Sequence, residues 1–178
     1  NVVVEIDNQE VPIMDGSAKE FIKILNKNGF RILKSKRKFI KIAKKFELQE
    51  DQKTISIEPN NFGLEVNFQL DYENSLIGKQ KNKVQFYNDE LEDIYSSRTF
   101  CLFEDIEKIK SVGLAKGGSL ENAVVIKDNK ILNEGGLRNT KEFVNHKILD
   151  LAGDFLLSGY RIIGSVNCVQ GGHHLSNI

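Results

Sequence analysis

From Gly63 to Tyr72 the chain alternates without a break: Leu64, Val66, Phe68, Leu70 and Tyr72 are apolar or aromatic, and Glu65, Asn67, Gln69 and Asp71 lie between them. Successive side chains of a strand point to opposite faces, so this run predicts a strand with one face in a core and the other toward water. A second pattern stands against it. Over 141–157, Val144, Ile148, Leu151, Ala152 and Phe155 recur at helical spacing, which predicts a long amphipathic helix ended by Gly159.

The rest of the chain fills in around these two elements. Val2 to Ile6 reads as a buried strand and Asp15-Gly16 as a turn. Ser17 and Glu20 have capping-box spacing before a helix whose Phe21, Ile22, Ile24 and Leu25 should be buried and which should stop at Gly29. Lys34 to Lys38 reads as a solvated linker. Strands are expected at Lys38 to Leu48, Thr54 to Ile57, Lys83 to Tyr87 and Arg161 to Val169, and helices at Asp89 to Tyr95 and Asp105 to Ser111. Ala123 to Ile126 and Lys130 to Leu132 flank Asp128-Asn129 as a hairpin. Strands and helices in this segregated order predict an α+β fold.

Composition narrows the function classes. Of 178 residues, 25 are Lys or Arg and 25 are Asp or Glu. No basic patch interleaved with aromatics is present, so no nucleic-acid partner is expected. No apolar run reaches the length of a membrane span, so stable membrane insertion is not expected either. Cys101 and Cys168 form no C-x-x-C pair, which fits a reducing cytoplasm and small core residues. The chain opens directly in a strand pattern at Asn1 and ends, at 174–178, inside what reads as the start of a helix. A longer polypeptide is therefore expected.

The chemistry-bearing residues gather on the long helix. His146 and Asp150 are four apart, with Asp154 one turn further and Lys147 alongside. An imidazole and a carboxylate one turn apart can share one metal ion. The same four residues can equally form a solvated arc with ion pairs along it. Phe143 and Leu157 fall inside that arc, so it is not purely a water-facing one.

Several further segments, taken in order, carry a resemblance: Val11 to Ser17, Ser97-Arg98-Thr99-Phe100, Gly117-Gly118-Ser119, Leu132-Asn133-Glu134 through Arg138, Glu142-Phe143-Val144, His146 to Asp150, Gly153-Asp154 and Gly172-His173. Each is weak alone, but their order and spacing over nearly the whole chain resemble the UDP-3-O-acyl-N-acetylglucosamine deacetylases, zinc amidases of the committed step of lipid A synthesis in Gram-negative bacteria.

The resemblance implies two α+β domains of two-layer α/β sandwich design, like the second domain of ribosomal protein S5, packed face to face around the active site. Residues 1–36 would be the end of the first domain and 37–178 the second. An insert at about 104–138 would form a passage for an acyl chain; Leu114, Leu120, Ala123, Val124 and Val125 suit that role or plain core. It also implies a Zn2+ cofactor, a UDP-sugar substrate bearing an acyl chain, a monomer and a cytoplasmic location.

Residue by residue, the resemblance assigns the metal to His146 and Asp150. The third ligand and a glutamate base would lie upstream of Asn1. His173 would stabilise an oxyanion and protonate the leaving amine, with Asp154 orienting it, Thr99 donating to the oxyanion and Lys147 adding positive charge. Phe100, Asp71, Tyr72 and Gly118 would contact the substrate. Read without the resemblance, His173 is a loop histidine, Thr99 a cap, Lys147 a surface lysine, and Asp71 and Tyr72 strand-end residues. Cys101 and Gln170 depart from the family pattern, the latter placing a neutral amide where a basic residue often meets the diphosphate, and His174 has no assigned role. The alternative function is a non-catalytic fragment or degenerate homologue that keeps part of a sugar-nucleotide and acyl-chain surface.

Overall fold

A computed structural model describes residues 2–7, 10–106, 111 and 117–178. The alternating run forms strand β4 (Leu64–Asp71), in register between two neighbours. The strands in chain order are β1 (Phe39–Lys41), β2 (Phe46–Glu50), β3 (Lys53–Glu58), β4, β5 (Lys79–Gln85), β6 (Phe100–Leu102), β7 (Val124–Lys127), β8 (Lys130–Ile131) and β9 (Arg161–Val169). The helices are α1 (Lys19–Asn28), α2 (Glu92–Tyr95), α3 (Glu142–Leu156) and α4 (His173–Ser176).

The larger sheet runs β2-β3-β9-β4-β5. Strand β9 is long enough to serve two partners on one edge: its first residues pair parallel with β1 (Phe39↔Arg161), and its later ones pair antiparallel with β3 (Thr54↔Val169). Its other edge pairs parallel with β4. A smaller sheet, β6-β7-β8, has β6 parallel to β7 and a tight β7–β8 hairpin at Asp128-Asn129. Both turn residues have positive φ, 48° and 57°, the type I′ geometry that matches strand twist. The α+β class expected from the sequence is the one observed.

The core lies between the larger sheet and α3. Leu64, Val66, Phe68 and Leu70 of β4, with Val166 and Cys168 of β9, face Phe143, Val144, Ile148 and Leu151 of α3. Burying each large apolar side chain contributes about 1.5–3 kcal/mol. Tyr72, the last member of the alternating row, is half-buried and meets Phe100 edge-on at 6.0 Å.

Several local expectations are corrected. Val2 to Ile6 forms no strand, and Val2, Val3, Val4 and Ile6 are exposed, because no described strand lies beside them to pair with. Helix α1 ends at Gly29, as its sequence predicts, but none of its residues is buried: Phe21, Ile24 and Leu25 are exposed. Its N-cap is Ala18, and there is no capping box; Ser17 Oγ still accepts the N–H of Lys19 at 3.2 Å but is drawn mainly to Asp15. Strand β5 starts at Lys79, earlier than its apolar residues indicate, because pairing with β4 rather than composition sets its length. The expected strand at Lys38 to Leu48 is two strands, β1 and β2. The helix expected at Asp105 to Ser111 falls largely outside the described residues, as does Leu114.

The turn before α1 docks onto the second half of the chain. Gly16 has φ +81°, and a Cβ there would lie 1.9 Å from the backbone oxygen of Asn122. Only glycine allows that approach and that dihedral together. The docking brings Gly16 O to the N–H of Thr99 at 2.8 Å and the N–H of Ala18 to Tyr95 O at 2.9 Å.

Candidate functional site

Helix α3 presents His146, Asp150 and Asp154 in one row, and α4 brings His173 against its lower end. His146 is buried, at 8 % exposure. Its Nδ1 lies 3.0 Å from the carbonyl oxygen of Ser97. A carbonyl can only accept, so Nδ1 carries the proton. Burial holds the His146 pKa below the usual histidine range, outweighing the opposite pull of Asp150 and the Ser97 carbonyl. When the ring is neutral, the form that burial favours, it is the Nδ1–H tautomer and Nε2 carries the lone pair.

That lone pair faces a second one. His146 Nε2 is 3.3 Å from Asp150 Oδ1. With the ring neutral this contact is no ion pair; two acceptors confront each other with no proton between them. A cation placed against both relieves that repulsion. Lys147 offers partial relief from the side, with Nζ 3.1 Å from Asp150 Oδ2. Imidazole nitrogen and carboxylate oxygen in this tautomer are suited to a divalent metal such as zinc, and the hydrogen bond from Nδ1 is the outer-sphere partner that metal-binding histidines ordinarily have. Among the described residues no three His, Cys, Asp or Glu side chains converge to hold an ion together. The donors present thus fit two positions of a metal centre.

His173 is oriented from the other side. Its Nδ1 donates to Asp154, 3.0 Å from Oδ1 and 2.9 Å from Oδ2. The hydroxyl of Ser176 also donates to Asp154 Oδ2. His173 Nε2 lies 4.0 Å from Asp150 Oδ2, so the ring tip reaches the edge of the His146–Asp150 pair. The side chain is 64 % exposed and accessible to a ligand. Phe68, Lys147, Asp150, Leu151, Asp154, Cys168, Gly171, Gly172 and Ser176 line a small hollow at this corner.

The other predicted residues are placed around it with different closeness. Lys147 Nζ stands 5.8 Å over the ring of Phe100, and Phe100 packs edge-on against Phe143 at 4.9 Å and against Tyr72. Thr99 is half-buried beside Phe100, its backbone held by Gly16 on one side and the N–H of Val124 on the other. Asp71 is occupied: its carboxylate pairs with Lys79 at 3.2 Å, and its carbonyl accepts from the side chain of Gln170. Gly118 sits in an exposed turn next to residues that Asn122 ties together, with no described contact to the histidines. His174 points elsewhere, to Glu50 at 3.4 Å.

A polar cluster beneath this corner was not assigned a role from sequence. Glu142 is fully buried on the row one turn before His146. It accepts from Arg98 Nε at 2.8 Å, Arg98 Nη2 at 3.1 Å, the N–H of Arg98 at 3.0 Å and the N–H of Arg138 at 2.7 Å. Burial pushes its pKa up, but these bonds and the Arg98 charge outweigh that and hold it below the usual carboxylate range. Arg138 extends the cluster to Asp15 at 2.8 Å and to Ser96 O at 2.9 Å. The sequence signals were the i, i+4 spacing of Glu142 from His146 and the place of Arg98, Arg138 and Glu142 among the ordered segments that carry the resemblance.

The whole chain, residues 1–178, matches the family model described as UDP-3-O-acyl N-acetylglycosamine deacetylase. It belongs to that family. Similar relatives carry the name UDP-3-O-acyl-N-acetylglucosamine deacetylase: one from Nautilia profundicola is 41% identical over 100% of this chain and 61% of its own length. One from Pasteurella multocida is 42% identical over 99% of this chain and 59% of its own. One from Helicobacter pylori is 38% identical over 100% and 60%. The chain therefore spans about three fifths of the length of these curated relatives. Among the described residues no helix is long and apolar enough to cross a membrane.

Proposed function

We propose that this chain is part of an amidohydrolase that removes the N-acetyl group of UDP-3-O-acyl-N-acetylglucosamine. Water and the acetamide give acetate and a free amine on the acylated, UDP-linked sugar, in lipid A synthesis. The observation that carries this reading is the corner where Nε2 of His146 faces Asp150 and the tip of His173 reaches the same place.

His146 and Asp150 would hold zinc, with a third ligand and a general base supplied from outside this chain. When bound, zinc supplies Lewis-acid chemistry, polarising a carbonyl and acidifying water. His173, its Nδ1–H held on Asp154, directs Nε2 outward; in its protonated form that nitrogen donates to the developing oxyanion and then gives its proton to the leaving nitrogen. Thr99 offers a hydroxyl to the same oxyanion, and Lys147 adds positive charge beside it. Phe100, which meets Tyr72 edge-on, would pack near the scissile amide and the sugar, Asp71 and Tyr72 would meet the uridine and hexose, and Gly118 would also contact the substrate. The acyl chain would run along the insert at about 104–138, within a second domain of residues 37–178, with residues 1–36 belonging to the first. The intact protein would act as a cytoplasmic monomer.

The test is His173→Ala in the full-length protein, with acetate release as the readout. Near-complete loss of turnover with the fold retained is expected; full activity removes His173 from its role. A second reading, a surface that binds without catalysing, is favoured by the absence of a three-donor group among the described residues. Deacetylation by the 178-residue chain with added zinc would refute it.

A further inference from the structure

One peptide group lies along two successive turns of α3. The carbonyl of Ser97 accepts from His146 Nδ1 at 3.0 Å. The N–H of Arg98, in the same planar unit, donates to Glu142 Oε1 at 3.0 Å. In a trans peptide these two groups point in opposite directions. Glu142 and His146 are one turn apart on one helix face. The Ser97–Arg98 peptide therefore runs alongside the helix, its N–H end fixed at Glu142 and its carbonyl end at His146.

We infer that Glu142 is a positioning residue for His146. By gripping the Ser97–Arg98 peptide it holds the Ser97 carbonyl where it accepts from Nδ1, and so turns Nε2 toward Asp150. The grip is strong for a stated reason. Glu142 is fully buried and its carboxylate takes four hydrogen bonds, three of them from Arg98. Charge-assisted bonds in a dry site are the strong class. Without the grip the 97–99 segment is held at Thr99, by Gly16 and Val124, and at Ser97, by its own N–H to Ile94 O, but the peptide plane between Ser97 and Arg98 loses its fixed end. The consequence for metal binding rests on the proposed role of His146; the control of the ring does not.

The test reads the ring itself. Nitrogen-15 NMR of the labelled 178-residue chain, with the imidazole neutral, reports which His146 nitrogen carries the proton. The native chain is expected to show a single Nδ1–H tautomer. Glu142→Gln is expected to lose that signature toward a mixture of both tautomers. Val144→Ala, which trims a fully buried side chain of the same helix, is expected to keep it. An unchanged signature in Glu142→Gln, or an equal loss in Val144→Ala, overturns the inference. Should Glu142→Gln fail to fold, Glu142→Asp keeps the charge and retracts the carboxylate by one methylene. A partial loss of the single tautomer is then expected, and an unchanged signature overturns it. Zinc titration of the same variants separates the two claims. A fall of about tenfold or more is expected, as for other outer-sphere partners of metal ligands; a lost tautomer with undiminished zinc binding supports the orienting role and counts against His146 as a ligand.

Discussion

Replacing Arg98 and Glu142 together should not fully restore the stability that replacing either one costs. Buried ion pairs can often be exchanged for well-packed apolar residues with little loss, whereas removing one partner costs about 3–5 kcal/mol because a charge is left unpaired. Here the pair is buried on both sides, with side-chain exposures of 9% and 0%. Glu142 differs from an ordinary partner because it also accepts two backbone N–H groups, those of Arg98 and Arg138. An apolar residue at 142 leaves both without an acceptor, at about 1–3 kcal/mol for each that stays dry. Arg98→Met should cost about 3–5 kcal/mol. Glu142→Leu should cost that amount plus about 2–6 kcal/mol for the two orphaned N–H groups, and the double variant about 2–6 kcal/mol alone. Urea unfolding of the 178-residue chain, read as the shift in midpoint at constant slope, measures all three. A double variant as stable as the native chain refutes the reasoning, since it would mean that the backbone bonds contribute nothing.

Three further outcomes follow from the same geometry. Glu142 has its folded pKa depressed below its unfolded value, so the stability it gives is fully present above the unfolded pKa and is lost as pH falls through the folded one; an acid titration of the unfolding free energy should therefore be flatter in Glu142→Gln than in the native chain. Gly16→Ala forces a Cβ to within 1.9 Å of Asn122 O at a φ of +81°, and should cost more than about 1 kcal/mol in thermal or urea unfolding; a neutral effect would mean the 13–18 turn is not docked. Burial pushes the Cys168 thiol up to about 11, and the side chain is 2% exposed, so alkylation at neutral pH should be far slower in the folded chain than in urea, and rapid native labelling would contradict the packing.

The elements that local pattern could specify are the ones the sequence made legible. The β4 row and the apolar face of α3 carry their own periodicity, and each found the other as its covering layer. Helix α1 has an equally clear apolar stripe, yet Phe21, Ile24 and Leu25 are exposed. Periodicity identifies a face but not its partner, and the same holds for Val2 to Ile6. Ser17 had the right neighbours for a capping box, but Asp15 and Arg138 compete for its hydroxyl. The histidine–carboxylate row was visible as spacing. What spacing could not show was protonation, since the tautomer of His146 depends on a carbonyl 49 residues away, nor the pairing of Glu142 with Arg98, 44 residues apart.

The row on α3 is one residue longer than its spacing first indicated, and its order has a physical reason. Glu142, His146, Asp150 and Asp154 follow each other at successive turns, with side-chain exposures of 0%, 10%, 21% and 11%. The dry end holds the residue whose task is to grip, because hydrogen bonds to a charge are strongest away from water. The next position holds a histidine whose Nδ1 is held on the Ser97 carbonyl and whose burial disfavours its charged form, which leaves the outward nitrogen suited to the ligand role proposed for it. The most open member is Asp150, which under the proposed function is where a substrate or cation would enter. Asp154 closes again because it must hold His173, which itself remains open. One helix face thus grades from anchor to reactive edge, and a substitution should disturb fold or chemistry according to where on that gradient it falls.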